Sequence, residues 1–398
     1  MQKGLSQRAQ AAQPSPTLAL TARAQELRRQ GIDVLSFTAG EPDFDTPDFA
    51  KTGALEAIHA GYTKYTPTPG ILPLREAIAE KFERENNLRY TPDQIVVSCG
   101  AKHSLFAVFM ALLDPSDEVI IPTPCWVSYP EQVRLMGATP VFVPTDETTD
   151  FLPDYDALRR AITPRTKAIV LNTPCNPTGA VYGRKHLKQI ASLALSHDLW
   201  LIADEIYEHL VYDGHTHESI GALSKEVFQR TITVNGVSKS FAMTGWRIGY
   251  LGAPSEVARA VSRLQDQMTS NACTIAQYAT LAALRDGTPD WHAQVRATFD
   301  RRRRLMVEGL NRIDGIRCWT PRGAFYVYAN VQGLLGRTYN GHTLSSSADV
   351  AEFLLSTARV ATVPGEGFCA PGYIRLSYAT SEAVIEAGIQ RIGEVVQT

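Results

Sequence analysis

Ala168-Ile169-Val170-Leu171-Asn172-Thr173-Pro174-Cys175-Asn176-Pro177-Thr178-Gly179 joins an unbroken apolar run to a turn rich in amides and prolines. Such a run predicts a strand covered on both faces, because a strand with one wet face alternates apolar and polar residues. The same construction recurs on either side. Strands are predicted at 95–97, 119–121, 141–143, 168–170, 199–202, 231–234 and 248–251, with helical patterns between them at 102–113, 154–162 and 184–197. Strands that alternate with helices predict an α/β fold around a mainly parallel, seven-stranded sheet.

Outside 94–252 the pattern changes. Residues 17–30 read as a helix stopped by Gly31. A helical region near 292–312 precedes strands at 316–319, 325–329 and 373–378, with a helix near 347–357 and a closing helical pattern over 381–396. These predict a smaller α+β domain. The expected division is an N-terminal segment, 1–45, joining the small domain; a large domain, 46–290; and the small C-terminal domain, 291–398. The basic run from Arg301 to Arg304 is expected to be a solvated helix face.

The 398 residues are 44% hydrophobic and 20% charged, a globular composition that excludes a disordered or collagenous chain. Thirty-nine Lys and Arg against 41 Asp and Glu leave a net charge of -2, so no overall field favours nucleic acid or an anionic membrane. The longest apolar run, 105–113, is far below the roughly 20 residues of a membrane crossing. With no apolar signal core in the first 20 residues, a soluble, cytoplasmic protein is expected. Six cysteines without a Cys-x-x-Cys pair are expected to be free thiols. His217-Glu218 lacks a second histidine at 221; His215 and His217 are expected to be solvated, and no metal is expected.

In open parallel sheets, ligands collect outside the carboxyl ends of the strands. The residues just past each predicted strand are therefore informative: Gly100-Ala101-Lys102, then Trp126, Asn176, Asp204 with Tyr207, and Ser238-Lys239. On one rim these make a phosphate cradle, an aromatic plate, an amide, a carboxylate, a phenol and an amine. A flat, phosphorylated, carbonyl-bearing cofactor needs that set. Backbone N–H groups behind Gly100 suit a phosphate, Trp126 a ring face, and Asp204 a protonated ring nitrogen. Tyr207 and Asn176 suit a ring oxygen, and Lys239 an imine.

The run Ser238-Lys239-Ser240-Phe241-Ala242-Met243-Thr244-Gly245-Trp246-Arg247-Ile248-Gly249-Tyr250 resembles the lysine signature of class I aminotransferases, pyridoxal-phosphate enzymes of fold type I. Asn172 to Gly179, Asp204-Glu205-Ile206-Tyr207, Gly40-Glu41-Pro42-Asp43-Phe44, Tyr62-Thr63-Lys64-Tyr65 and Arg375-Leu376-Ser377-Tyr378 extend the likeness in family order over about residues 4–390. The resemblance implies that Lys239 is the Schiff-base and proton-shuttle residue, with Asp204 on the pyridine nitrogen and Tyr207 and Asn176 on the phenolic oxygen. Gly100, Ala101, Lys102, Ser238 and Arg247 would surround the phosphate, with Trp126 against the ring. Tyr65 would reach the phosphate of a second subunit, which implies a homodimer with shared active sites. Arg375 would clamp the substrate α-carboxylate, helped by Asn176 and the Gly40 backbone. Where many relatives have serine three places before the lysine, this chain has Gly236.

Within the family, the likeness is to the bacterial-type aspartate aminotransferases, some of which also transaminate prephenate. Pro14-Ser15-Pro16-Thr17 repeats their N-terminal pattern. The resemblance makes Thr17 and Lys102 the holders of an acidic side chain. The expected reaction is ping-pong amino transfer from aspartate or glutamate to 2-oxoglutarate or oxaloacetate. The alternatives are a prephenate or an aromatic or kynurenine aminotransferase, and more distantly a binding protein that keeps only the fold. Gly365-Glu366-Gly367-Phe368-Cys369-Ala370 suggests a dinucleotide site, but Pro371-Gly372 stops the helix such a site requires.

Overall fold

The structure is a computed structural model that describes residues 4–14, 16–287, 289–339 and 341–397, without the side chains of 16–18 and 342. Its strands in chain order are β1 (Leu35–Ser36), β2 (Ile95–Ser98), β3 (Glu118–Thr123), β4 (Thr139–Pro144), β5 (Thr166–Asn172), β6 (Trp200–Asp204), β7 (Thr231–Gly236) and β8 (Gly249–Gly252). These continue as β9 (Arg317–Cys318), β10 (Tyr326–Asn330), β11 (Thr338–Tyr339), β12 (His342–Thr343), β13 (Val360–Ala361), β14 (Val363–Pro364) and β15 (Tyr373–Ser377).

Seven strands form the central sheet in the order β2-β8-β7-β6-β5-β3-β4. Only β8 runs against its neighbours; the others point one way. Burial on both faces explains the unbroken apolar runs. Ile120, Ile169, Leu171 and Leu201 pack to one side, with the helix Arg184–Ser196. Their neighbours Val119, Ile121, Val170 and Ile202 pack to the other, with the helix Ala101–Leu112. Each such side chain contributes about 1.5–3 kcal/mol on leaving water.

The second sheet is antiparallel, in the order β14-β15-β10-β9, and opposes Tyr328 to Arg375. The long helix Pro289–Leu310 packs against β10 and against the closing helix Glu382–Val396. β1 pairs in parallel with β13, and Ser377 N–H donates to Phe37 O at 2.8 Å, so the N-terminal segment is stitched to late parts of the chain. Gly365–Phe368 is a single turn between the antiparallel β14 and β15, which leaves no dinucleotide-binding unit there.

Two expectations are corrected. Arg303 does not lie on a solvated face: it is buried, ion-paired to Asp213 and Asp300, and stacked 4.8 Å from the Tyr212 ring centre. Satisfied carboxylates make that burial tolerable. His217 is not solvated either; its Nε2 lies 3.0 Å from Glu205 Oε2 in a mostly buried pair, whereas His215 is exposed as expected.

Candidate active site

Because all but one of the central strands point one way, their carboxyl ends share a rim, and that rim lines a cavity of about 370 Å³. β7 ends at Gly236, and the one-turn helix Val237–Ser240 then lifts Lys239 into the cavity. Lys239 Nζ donates to Gly40 O, with the Tyr207 and Phe325 ring centres at 5.9 and 5.8 Å. Loss of hydration, opposed by Glu41 and reinforced by Arg375, lowers the ammonium pKa to about 8.

Asp204 closes β6, opposite Asn172 of β5 and Val234 of β7. Its Oδ2 accepts from Tyr129 Oη at 2.6 Å, and its Oδ1 from Ile206 N–H at 3.3 Å. Burial nonetheless raises the carboxyl pKa to about 6, because these donors and Lys239 replace only part of the lost hydration. Asn172 Oδ1 accepts from Asn176 N–H at 2.8 Å, and its Nδ2 donates to Asp204 O at 3.0 Å, which ties the two strand ends together. Behind the rim, buried Glu208 accepts from Lys81, from Asn86 at 2.6 Å and from Asn235 at 2.8 Å. That network joins the segment carrying Tyr207 to the end of β7.

Arg375, on β15, enters from the second sheet and is only 2% exposed. Its guanidinium lies between the Tyr326 and Phe368 rings, 4.4 and 5.0 Å from their centres. Nη1 donates to Asn176 Oδ1 at 2.9 Å and Nη2 to Thr38 O at 2.8 Å, while Nε has no hydrogen-bond partner among the described residues. Burial lowers its pKa from the usual arginine value. A buried guanidinium with a spare donor is suited to a carboxylate.

The phosphate cradle assembles where the helix Ala101–Leu112 begins. No side chain caps that helix, and its N-cap Gly100 has φ +88°, a left-handed conformation that glycine adopts freely. A Cβ there would stand 2.4 Å from Arg247 Nη2, so the missing side chain admits the guanidinium. Uncapped N–H groups, Arg247 and the hydroxyl of buried Ser238 suit an anion. Lys102 Nζ lies 5.0 Å from the Trp126 ring centre, and partial burial with nearby Arg247 lowers its pKa.

Lys239, Asp204, Tyr207, Asn176, Ser238, Arg247, Arg375, Trp126, Ala101, Lys102 and Gly40 thus line one cavity. Gly100 flanks the wall without lining it. Tyr65 is outside, 90% exposed, and the side chain of Thr17 lies outside the described residues.

A family model described as aminotransferase class I and II matches residues 32–392. The chain belongs to that family. It is 47% identical over 398 residues to a probable aspartate/prephenate aminotransferase of Aquifex aeolicus, covering both chains completely. With the aspartate/prephenate aminotransferase of Thermus thermophilus it shares 48% over 396 residues, 99% of each. Among solved structures, an aspartate aminotransferase from Rhizobium meliloti superposes with a TM-score of 0.96 at 43% identity, over 99% of each chain. That of Thermus thermophilus with maleate gives 0.93 at 48%, over 99% of this chain and all of the other. The cofactor of this aminotransferase is pyridoxal phosphate, and the cradle at Gly100, the dehydrated amine of Lys239 and the undercompensated Asp204 carboxyl fit its phosphate, carbonyl and ring nitrogen.

Sequence reasoning missed Tyr129, which holds Asp204, and Tyr326, whose Oη lies 2.8 Å from Tyr207 Oη while its ring stacks on Arg375. It also missed Thr38, Asn172 and Glu41. Asn172 and Glu41 stand inside recognised motifs, and rim position alone is enough to find Asn172. No local signal marks Tyr326, whose place depends on the pairing of β10 with β15.

Proposed function

We propose that this aminotransferase moves the amino group of aspartate or glutamate to 2-oxoglutarate or oxaloacetate, as a cytoplasmic homodimer. The carrying observation is that two cations besides Arg247, Arg375 and Lys102, line the same cavity as Lys239. A dicarboxylate has one charge for each. Arg375 takes the α-carboxylate in this reading, leaving the distal carboxylate to Lys102 and Thr17.

Bound in the cavity, pyridoxal phosphate supplies an electrophilic carbonyl and a conjugated ring that takes up the electrons of the Cα–H bond. The chain supplies the rest. Lys239, with its pKa lowered by burial, would accept the proton from substrate Cα and pass it to the carbonyl-derived carbon of the cofactor two atoms away, the behaviour of a base poised close to working pH. Asp204 holds the ring nitrogen protonated, and Tyr129 keeps its carboxylate in place. Tyr207, set by Tyr326, and Asn176, set by Asn172 and Arg375, orient the ring oxygen. Ser238, Arg247, Gly100 and the Ala101 N–H anchor the phosphate, and Trp126 covers one ring face.

In this reading Tyr65, 90% exposed and outside this chain's own cavity, serves the phosphate site of a second subunit. For the domains, 1–45, 46–290 and 291–398 remain our division, supported by the pairing of β1 with β13 and by the separate sheets. Prephenate as an acceptor is the second reading; relatives named for both activities favour it, and it too is a dicarboxylate.

Three experiments test this. Borohydride trapping of the loaded enzyme with peptide mapping is expected to place the pyridoxyl label on Lys239, and any other site refutes the assignment. Lys102→Ala is expected to raise KM for aspartate by about tenfold or more while leaving that for alanine nearly unchanged, since a lost charge pair costs about 1.5 kcal/mol or more. Equal effects on both substrates refute acidic specificity through Lys102. Sedimentation velocity reads the dimer.

A further inference from the structure

Six free cysteines are spread through the chain, and two of them meet. Cys125 lies just past the end of β3; Cys369 lies between β14 and β15 of the other sheet. Cys125 N–H donates to Phe368 O at 3.0 Å, and both cysteines pack in the same apolar cluster. Since Phe368 O belongs to the peptide bond that leads into Cys369, standard bond lengths keep the two Cα atoms within about 7 Å, close to the reach of a disulfide. We propose that Cys125 and Cys369 are a reversible oxidation site that closes to a disulfide under hydrogen peroxide and ties two walls of the active site together.

The two sulfurs differ in the way such chemistry requires. Cys369 is partly exposed, and its thiol pKa is lowered by Cys125 beside it and by Arg134, against burial and Glu131. Cys125 is buried, and the neighbouring Cys369 together with the loss of hydration raises its own pKa. Cys369 is therefore the thiolate that meets oxidant, and Cys125 the resolving thiol. The Cys369 sulfur attacks peroxide: an S–O bond forms, the O–O bond breaks and hydroxide leaves. The Cys125 sulfur then attacks the Cys369 sulfur: the S–S bond forms, the S–O bond breaks, and the hydroxyl that came from the peroxide leaves as water with the proton of Cys125, while the hydroxide of the first step takes up the proton that Cys369 lost. Two thiols and one peroxide become one disulfide and two waters, and a dithiol reductant reverses the change. Cys175, whose Sγ lies 3.9 Å from Pro124 O, is a buried third thiol nearby and the internal competitor.

The neighbours of the pair give the bridge its effect. Trp126 comes directly after Cys125 and lines the cavity, while Phe368 precedes Cys369 and packs on the guanidinium of Arg375. A bond between the cysteines fixes the Trp126 segment to the turn that backs the carboxylate clamp, and any movement of one wall against the other during turnover is lost.

The test starts from reduced, desalted holoenzyme treated with limiting hydrogen peroxide, then thiol titration under denaturing conditions and peptide mapping without reductant. The expected result is two fewer titratable thiols than the six per chain, a linked pair of peptides carrying Cys125 and Cys369, and turnover lower by about tenfold or more that dithiothreitol restores. Cys369→Ser and, separately, Cys125→Ser are expected to keep their turnover through the same treatment and to give no linked peptide. A Cys125–Cys175 link, no link at all, or a 125–369 link with unchanged turnover overturns the proposal. Thiol count and linkage are read whichever amino acid proves to be the substrate.

Discussion

Replacing Asp204 by asparagine separates what the carboxylate costs the fold from what it does for the cofactor. In the cofactor-free protein the group is buried, and its pKa stands near 6 against an ordinary 3.8. A carboxyl raised in this way stabilises the fold only while protonated. Its contribution is fully present below the unfolded value and is lost as pH rises through the folded value. The shift of about two units amounts to about 3 kcal/mol at full ionisation. Linkage puts the cost at about 2 kcal/mol at pH 5 and about 3 kcal/mol at pH 8. Asp204→Asn keeps an oxygen that can accept from Tyr129 but carries no charge. Urea unfolding of both cofactor-free proteins at pH 5, 6.5 and 8 is therefore expected to show the variant gaining on the wild type by about 1 kcal/mol across that range. With cofactor bound, the order is expected to reverse, because the proposed pairing with a protonated ring nitrogen gives the carboxylate its missing counter-charge. A stability gap that does not widen from pH 5 to 8 refutes the reading of Asp204 as a charge held in reserve for the cofactor.

Arg375→Lys keeps a positive charge but loses the fork that spans Asn176, Thr38 and a ligand. Loss of a buried, hydrogen-bonded partner costs about 2–5 kcal/mol, so kcat/KM for aspartate is expected to fall by about 30-fold or more, and a variant within threefold of wild type refutes the clamp. In the cofactor-free protein, reductive methylation of Lys239 with mass-spectrometric readout is expected to show a midpoint near pH 8, well below that of surface lysines. A midpoint near 10 means that the cavity does not dehydrate the amine.

Much of this molecule was legible because its central strands are buried on both sides. The runs at 168–170 and 199–202 admit few other placements, and once the strands are parallel, Asn176, Asp204 and Lys239 must share a rim. Whatever depends on one sheet meeting the other could not be read. Tyr326 and Thr38 reach the cavity only because β10, β15 and the chain after β1 converge on Arg375. Arg303 misled for the same reason: its carboxylates at 213 and 300 include one far away in sequence, so four consecutive arginines look equally solvated. His217 was misread because Glu205 meets it only after β6 and the 213–219 loop have folded together.

Gly236 shows how packing decides a residue that function alone would choose otherwise. A serine here would offer the phosphate a hydroxyl, yet the position faces Gly249 across the β7–β8 ladder. A Cβ at 236 would meet Gly249 Cα at 3.0 Å and Ile248 O at 3.1 Å, both backbone atoms with little room to retreat. At Gly249 a Cβ would stand 2.1 Å from Ala101 N. Two strands and the start of the cradle helix therefore approach through a seam with no side chains, and closeness of the Lys239 turn to the cradle is obtained by giving up that hydroxyl. Gly236→Ser is expected to lower the urea midpoint of the cofactor-free protein by an overpacking cost of about 1–3 kcal/mol, with part of the loss recovered on loading if the new hydroxyl reaches the phosphate. Unchanged stability without cofactor means that the β7–β8 seam has room, and that its glycine is there for some reason other than contact.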